Sequence, residues 1–364
     1  MRDIFRSFNA GRATFFLMVF ICCLFAGAVL KIASSVILPF TIAVLLAFVM
    51  YPLVKGLDKF HFPRVLSILL VVVIIIAGLY IFGMVLFTSG RVVVAQYPKY
   101  ENRLTEIYIW AARSFGLSYD EGLSFWDNLW GQLGIRTWVY KFTFSFSSIF
   151  IKFLQNAMLV VIFVVFILLE ASYFKEKLEV AFENRSIRIN RMGHDLMSQV
   201  TRYLTAKFFI SLANGVIFAV SFHLVGLEFA ILWGVIQFLL NFIPTIGSIA
   251  AGVGICLSAL IQFWPAPGPI IVIIAIVLAV NIILGYFLDP KIIGERVGIS
   301  PLMIMVSLLI WGWIWGFAGM LIAVPMTVII KIVCENNPIM EPVSVLIGSR
   351  KSVNAAKAAR TGED

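Results

Sequence analysis

The side chains that most often do chemistry are sparse and scattered in this sequence. Its three histidines, His61, His194 and His223, lie far apart. None forms a zinc-type His-Glu pair at helical spacing, and there is no phosphate-cradling Gly-Lys loop and no nucleophile elbow. Cys22, Cys23, Cys256 and Cys334 each sit within or beside an apolar run, without metal-type spacing to a histidine. They read as small hydrophobes packed in helices. No catalytic residue, no metal site and no cofactor is expected, and the chain is not read as an enzyme.

What remains is a set of polar groups and backbone breakers inside apolar surroundings. Asn241-Phe242-Ile243-Pro244-Thr245-Ile246-Gly247 places an amide one turn before a Pro and a Gly. Pro244 removes a helical N–H and Gly247 is a poor helix former, so a helix is interrupted there. A buried amide without partners is costly, so Asn241 either bonds the freed backbone groups or faces a solute. Asn214 either lines a pathway or hydrogen-bonds a neighbouring helix. Gly312, Gly316 and Gly319 have small-residue spacing, suited to close helix packing or to keeping a bore open, and Pro325 interrupts the run beyond them. Asp289-Pro290 ends another apolar run. It reads either as a gate or coupling-ion ligand, or as an interfacial turn whose carboxylate caps backbone N–H groups. His223 and Glu228 flank a turn at 224–229, as a proton sensor or as a plain polar turn.

The elements that carry these residues follow from composition. The chain is 61% hydrophobic and 13% charged, with a mean hydropathy of +1.01. A soluble domain carries about 25% charged residues. The apolar surplus must face lipid, and the runs are long and continuous rather than alternating, which predicts membrane-spanning helices rather than a barrel. The net charge of +9 does not point to nucleic acid, because 18 of the 28 Lys and Arg fall in tracts 1–13, 55–64, 171–207 and 331–364, beside apolar runs. That placement orients a membrane protein with both termini cytoplasmic.

The expected fold is all-α and polytopic, with about six to eight transmembrane helices and two broken or re-entrant hairpins. Residues 1–89 hold the N-terminal spans, roughly Thr14–Ile32, Val36–Val54 and Val65–Thr88. Ala26-Gly27-Ala28 resembles a cleavage site, but the apolar run continues past it and reads as an uncleaved span. Residues 90–150 read as an extracytoplasmic amphipathic helical region lying on or near the membrane. A span at 151–170 and a basic cytoplasmic helical loop at 171–207 follow. Residues 208–333 form the C-terminal membrane region. Within it, the apolar stretches 229–243 and 247–263 are each shorter than the roughly 20 residues a span needs. The stretch 302–333 is split by Trp311-Gly312-Trp313-Ile314-Trp315-Gly316-Phe317-Ala318-Gly319. Residues 334–364 form a cytoplasmic tail that reads as largely disordered. Paired short, Gly/Pro-broken apolar segments point to a transporter's binding site.

The Asn241–Gly247 segment resembles the hallmark of the autoinducer-2 exporter family of bacterial permeases. So do Asp289-Pro290-Lys291-Ile292-Ile293-Gly294, Val297-Gly298-Ile299-Ser300-Pro301-Leu302, and the Trp311–Gly316 and Gly319–Pro325 runs. The resemblance implies a multi-pass bacterial inner-membrane permease exporting a small solute, such as the quorum-sensing signal autoinducer-2. A monovalent cation/proton antiporter is the first alternative, and a non-transporting membrane scaffold is the second. Many members of the family carry an acidic residue in the span before Asp-Pro, where this chain has Leu284. With no Walker motif, transport would be secondary, driven by an ion gradient or by the solute's own. The implied partners are a small-molecule solute and the lipid bilayer, with no nucleic acid, and small-residue faces leave a homo-oligomer open.

Overall fold

The computed structural model describes residues 10–59, 62–115, 135–181, 186–288, 298–335 and 340–349. Among these, the chain is helical throughout and its strand pairing is limited to one isolated bridge, Ile299 to Gly348. We number the helices α1 (Ala10–Ile32), α2 (Ser34–Asp58), α3 (Arg64–Phe115), α4 (Ile135–Ala181), α5 (Ser186–Val225), α6 (Ala230–Leu240), α7 (Ile246–Phe263), α8 (Pro267–Val280), α9 (Pro301–Glu335) and α10 (Glu341–Ile347). Helix α8 continues as a π-helix over Asn281–Leu288.

Seven of the described helices are long and apolar enough to cross a bilayer. Their outer faces suit lipid. On α7, Ile249, Val253 and Leu257 stand on three successive turns and are 61%, 55% and 54% exposed. Such an apolar stripe facing outward is stable only in hydrocarbon or against a partner. The all-α polytopic architecture expected from composition is the one found.

Two features differ from the sequence reading. Residues 90–115 are not a separate element, because α3 runs unbroken for 52 residues, about 78 Å at helical rise. The charges that begin at Arg91 mark where the helix leaves the apolar layer, not where it ends. The face Tyr100, Leu104, Ile107 and Ala111 continues the helix, and Trp110 packs edge-on against Trp264 at 5.0 Å. Second, the tail is not wholly irregular. Helix α10 folds back so that the Ser300 N–H donates to the Ile347 carbonyl at 3.0 Å and the Ser349 N–H to the Gly298 carbonyl at 2.6 Å. Ser344 and Ile347 are buried there. Residues 350–364 lie outside the described residues.

As the split at Trp311–Gly319 predicted, α9 is a hairpin rather than a straight rod. Trp315 (φ −123°, ψ 16°) and Gly316 (φ 62°, ψ −142°) are non-helical. The Ser307 hydroxyl donates to the Ala323 carbonyl at 3.0 Å and also meets the Thr327 hydroxyl. In a straight helix residues 307 and 323 would be about 24 Å apart. The two arms therefore fold together, and we call this hairpin 2. Helices α6 and α7, broken over 241–245, form hairpin 1.

The hairpins start from opposite ends of the bundle. Hairpin 1 follows the Val225 end of α5, while α8 leads the chain to the other end before hairpin 2 begins. The tip of hairpin 2 meets α1 near the α1–α2 corner. There Trp315 Nε1 donates to the Leu30 carbonyl at 2.9 Å and Lys31 lies 4.3 Å from the Trp313 ring. One buried cluster joins α2, α3, α4 and the lower part of α5 to hairpin 2, with Ile243 included. A second joins the Val225 half of α5 to hairpin 1 and α8, around Phe218, Phe222, Ile255 and Ile273.

Candidate functional site

The site begins with a close helix contact. Helices α5 and α6 run antiparallel and touch through Gly215, Ala219 and Gly234. A Cβ at Gly234 would stand 2.6 Å from both the Ala219 Cβ and the Gly215 carbonyl oxygen. In lipid, helices associate through this kind of backbone approach and through polar side chains between them. Both devices are present here. Asn241, at the end of α6, donates from Nδ2 to the Ser211 Oγ at 2.9 Å. Asn214 on α5 donates from Nδ2 to the Asn241 Oδ1 at 3.4 Å. Ser211, Asn214 and Asn241 are 0%, 2% and 6% exposed.

These contacts fix the depth of the hairpin tip. Asn214 and Ser211 lie about 16 and 21 Å along α5 from its Val225 end, and α6 itself is about 16 Å long. A hydrocarbon layer is about 30 Å thick, so α6 is too short to cross it and hairpin 1 turns back inside the bundle.

The tip is strained. The Ile246 N–H donates to the Pro244 carbonyl at 2.6 Å across Thr245, whose φ is 62° and ψ −59°. This is the three-residue turn with a positive central φ, the rarer and costlier γ-turn. Gly247 completes it, since any Cβ there would fall 1.8 Å from the Leu240 carbonyl oxygen. Thr245 and Ile246 are exposed.

The amide cluster extends further than the sequence suggested. Gln237, one turn before Asn241 on α6, is fully buried and donates from Nε2 to the Asn281 Oδ1 at 3.4 Å. Asn281 is the first residue of the π-helix, a distortion that often marks functional sites. The Asn214 Oδ1 and Gln237 Oε1 have no hydrogen-bond partner. Sequence reading passed over Gln237 and Asn281 as isolated polar residues in apolar helices. The signal that could have found them is the i, i+4 spacing of Gln237 and Asn241, which puts two amides on one helix face.

Of the residues singled out beforehand, Asn214, Asn241, Pro244 and Gly247 come together here. Asn241 bonds neither freed backbone nor open space, but side chains of α5. Gly312, Gly319 and Pro325 belong to the inside of hairpin 2, and Gly316 is its exposed tip. A Cβ at Gly319 would meet the Trp311 carbonyl oxygen at 1.9 Å, and one at Gly312 would meet Met320 at 2.8 Å. Among the described residues, no hydrogen bond ties them to the amide cluster. Asp289 and Pro290 lie outside the described residues.

Glu228 has a definite place. At the open end of hairpin 1 it forms an ion pair with Lys99 and accepts a hydrogen bond from the Tyr100 hydroxyl, both on the extension of α3. Its backbone N–H donates to the Gln262 Oε1 at 2.7 Å, and Gln262 Nε2 donates to the Gly226 carbonyl at 2.8 Å. Burial pushes the Glu228 carboxyl upward, but Lys99 and Tyr100 together hold it below the ordinary carboxylate range. Burial first, and then Glu228, push the Tyr100 hydroxyl well above its usual value. A cavity of about 330 Å³ lies beneath this latch, lined by Tyr100, Phe229, Trp233, Leu257 and Ser258 among others.

A bundle of lipid-facing helices that carries two opposed hairpins, one ending at depth in a buried uncharged polar cluster, has the build of a membrane transporter. Comparison with known sequences makes this specific. The chain matches the AI-2E family transporter description over residues 15–338, and it belongs to that family. It is 29% identical over 334 residues to a candidate transport protein of Borreliella burgdorferi, covering 92% of this chain and 90% of the relative. It is 30% identical to the candidate transport protein YhhT of Escherichia coli K12, covering 87% and 89%. To the AI-2 transport protein TqsA of the same organism it is 27% identical, covering 87% and 91%. The chain is thus a multi-pass permease of the bacterial inner membrane, in a family whose relatives are named for transport.

Proposed function

We propose that this permease is a secondary exporter of a small solute, with hairpin 1 as its moving element and Asn214 and Asn241 at the solute's position. The observation that carries the reading is the exposed, strained turn at Thr245, at the inner end of a helix too short to span, beside a buried amide cluster. Irregular backbone within a membrane bundle is tolerated only where protein or water covers it, and so it lines a route. Strained backbone persists where surrounding contacts enforce it and is common where an element switches. Asp289 and Pro290, at the far end of α8, keep a proposed role in gating or coupling, and Gly312, Gly316, Gly319 and Pro325 support the second hairpin. Both termini are proposed to be cytoplasmic.

Likeness to TqsA makes autoinducer-2 the first solute to test. Cells with and without the protein are compared for autoinducer-2 released to the medium, and then for Asn241→Leu at equal membrane abundance. Greater release with the wild type, lost in Asn241→Leu, supports the reading. Sodium-dependent proton movement in proteoliposomes, with no solute flux, replaces it by the cation/proton antiporter. Activity that survives Pro244→Ala and Gly316→Leu but is lost on deleting 97–140 replaces it by a scaffold.

A further inference from the structure

We infer that Gln237 and Asn281, together with Asn214, select the solute, and that they select an uncharged molecule bearing hydroxyl or N–H donors. This rests on the exporter reading above and adds the residues and chemistry that choose its cargo.

Two observations carry it. The first is the pair of buried acceptors left open. Gln237 is fully buried and Asn214 is 2% exposed, yet the Gln237 Oε1 and the Asn214 Oδ1 have no partner. Polar side chains that only glue helices together complete their hydrogen bonds, because a buried unpaired carbonyl is costly. Here each amide spends one end on a neighbour at 3.4 Å, near the limit of a hydrogen bond, and leaves the other end free. Gln237 and Asn241 share a face of α6 one turn apart, and Asn214 meets Asn241, so the two open acceptors belong to one neighbourhood. Long, replaceable amide pairs with idle acceptors can take a hydrogen-bond donor from a solute.

The second observation is the absence of charge in the site's walls. Helices α6 and α7 and the stretch Pro267–Leu288 contain no Asp, Glu, Lys or Arg. The nearest charged residue on α5 is Lys207, one turn below Ser211. It is buried, and it already engages other groups. Leu284, buried on the π-helix, stands one turn beyond Asn281. A charged solute would lose its hydration and find no counter-charge among these walls, whereas a neutral polyol or amide would exchange water for amide oxygens.

The experiment uses the full chain in proteoliposomes, with erythritol as the neutral donor probe and radioactive sodium as the cation probe. Light scattering after an osmotic step reads erythritol flux. Wild-type vesicles should carry erythritol saturably, above protein-free vesicles, and Gln237→Leu should raise its KM about tenfold. Asn281→Leu should do the same, and Gln237→Asn should recover part of the loss. A thermal melt of the same variants separates selection from helix glue. Gln237→Leu should melt close to the wild-type temperature, because the orphan Oε1 it removes offsets the long 3.4 Å bond to Asn281 that it loses, whereas a structural role would lower the melt. Wild-type erythritol kinetics in Gln237→Leu, or a lowered melt with no change in KM, overturns the inference. Gln237-dependent sodium flux without erythritol flux also overturns it, in favour of a monovalent cation. Autoinducer-2 release that does not differ between cells with and without the protein, alongside these vesicle results, would count against the exporter reading, not this one.

Discussion

Gly234 offers the sharpest test of how hairpin 1 is held. An alanine there would put its Cβ 2.6 Å from the Ala219 Cβ and from the Gly215 carbonyl oxygen, where ordinary contact begins near 3.4 Å. Helices α5 and α6 must separate by about 0.8 Å to accept it. Overpacking of this kind costs about 1–3 kcal/mol. The same shift would stretch the 2.9 Å Asn241–Ser211 bond and part Asn214 from Asn241, which are already 3.4 Å apart. Side-chain hydrogen bonds between membrane helices contribute about 0.6 kcal/mol each. The combined loss is roughly 2–4 kcal/mol. It is measured as the unfolding midpoint of purified protein in one detergent, followed by tryptophan fluorescence, alongside solute flux. Gly78→Ala is the control, since a Cβ at Gly78 meets nothing within 4 Å. If Gly234→Ala melts with the wild type and transports normally, the close approach of α5 and α6 does not hold the hairpin, and the account of the site is wrong.

Two further predictions concern the two ends of hairpin 1. Glu228→Gln should loosen the latch to Lys99, read as faster amide hydrogen exchange over 226–229 and 99–110. Because the Glu228 pKa is held below its ordinary 4.5, its contribution is complete at neutral pH and is lost only as pH falls below that value. Relative to the intrinsic exchange rate at each pH, the variant's protection over these segments should therefore change little between about pH 3 and 7, and a wild type whose protection is equally indifferent to acid would count against the ion pair. Thr245→Gly should relieve the positive φ at the tip and raise the melting midpoint, by about 1 kcal/mol after glycine's own entropic cost. An unchanged or lower midpoint would mean that the turn is not strained.

Much of this arrangement was legible in residue order. Pro244 and Gly247 marked the tip of hairpin 1, and the short apolar runs on either side marked its arms, because a run too short to span must turn back. Asn214 and Asn241 were each readable as an amide in need of a partner, but not as partners of one another. The fold-back of α9 was half visible: Gly316 between tryptophans signalled a break, but only the Ser307–Ala323 contact reveals that the arms meet. Gln237 and Asn281 were hidden because a single amide in an apolar helix has many uses, and its partner lay 44 positions away. The length of α3 was hidden for a different reason. Charge patterns locate the edge of lipid, and a helix does not have to end there.

The shortness of α6 has a consequence for how the protein is made. At 11 residues it cannot be delivered to the bilayer as a span of its own. Helix α5 can, and until α6 arrives it sits in lipid with Ser211 and Asn214 unsatisfied. Hairpin 1 must then settle against α5 through the Gly215–Gly234 contact. The same amides that await a solute in the finished permease thus first serve as the landing mark for its last piece, and biogenesis should stall at that step when either glycine is enlarged.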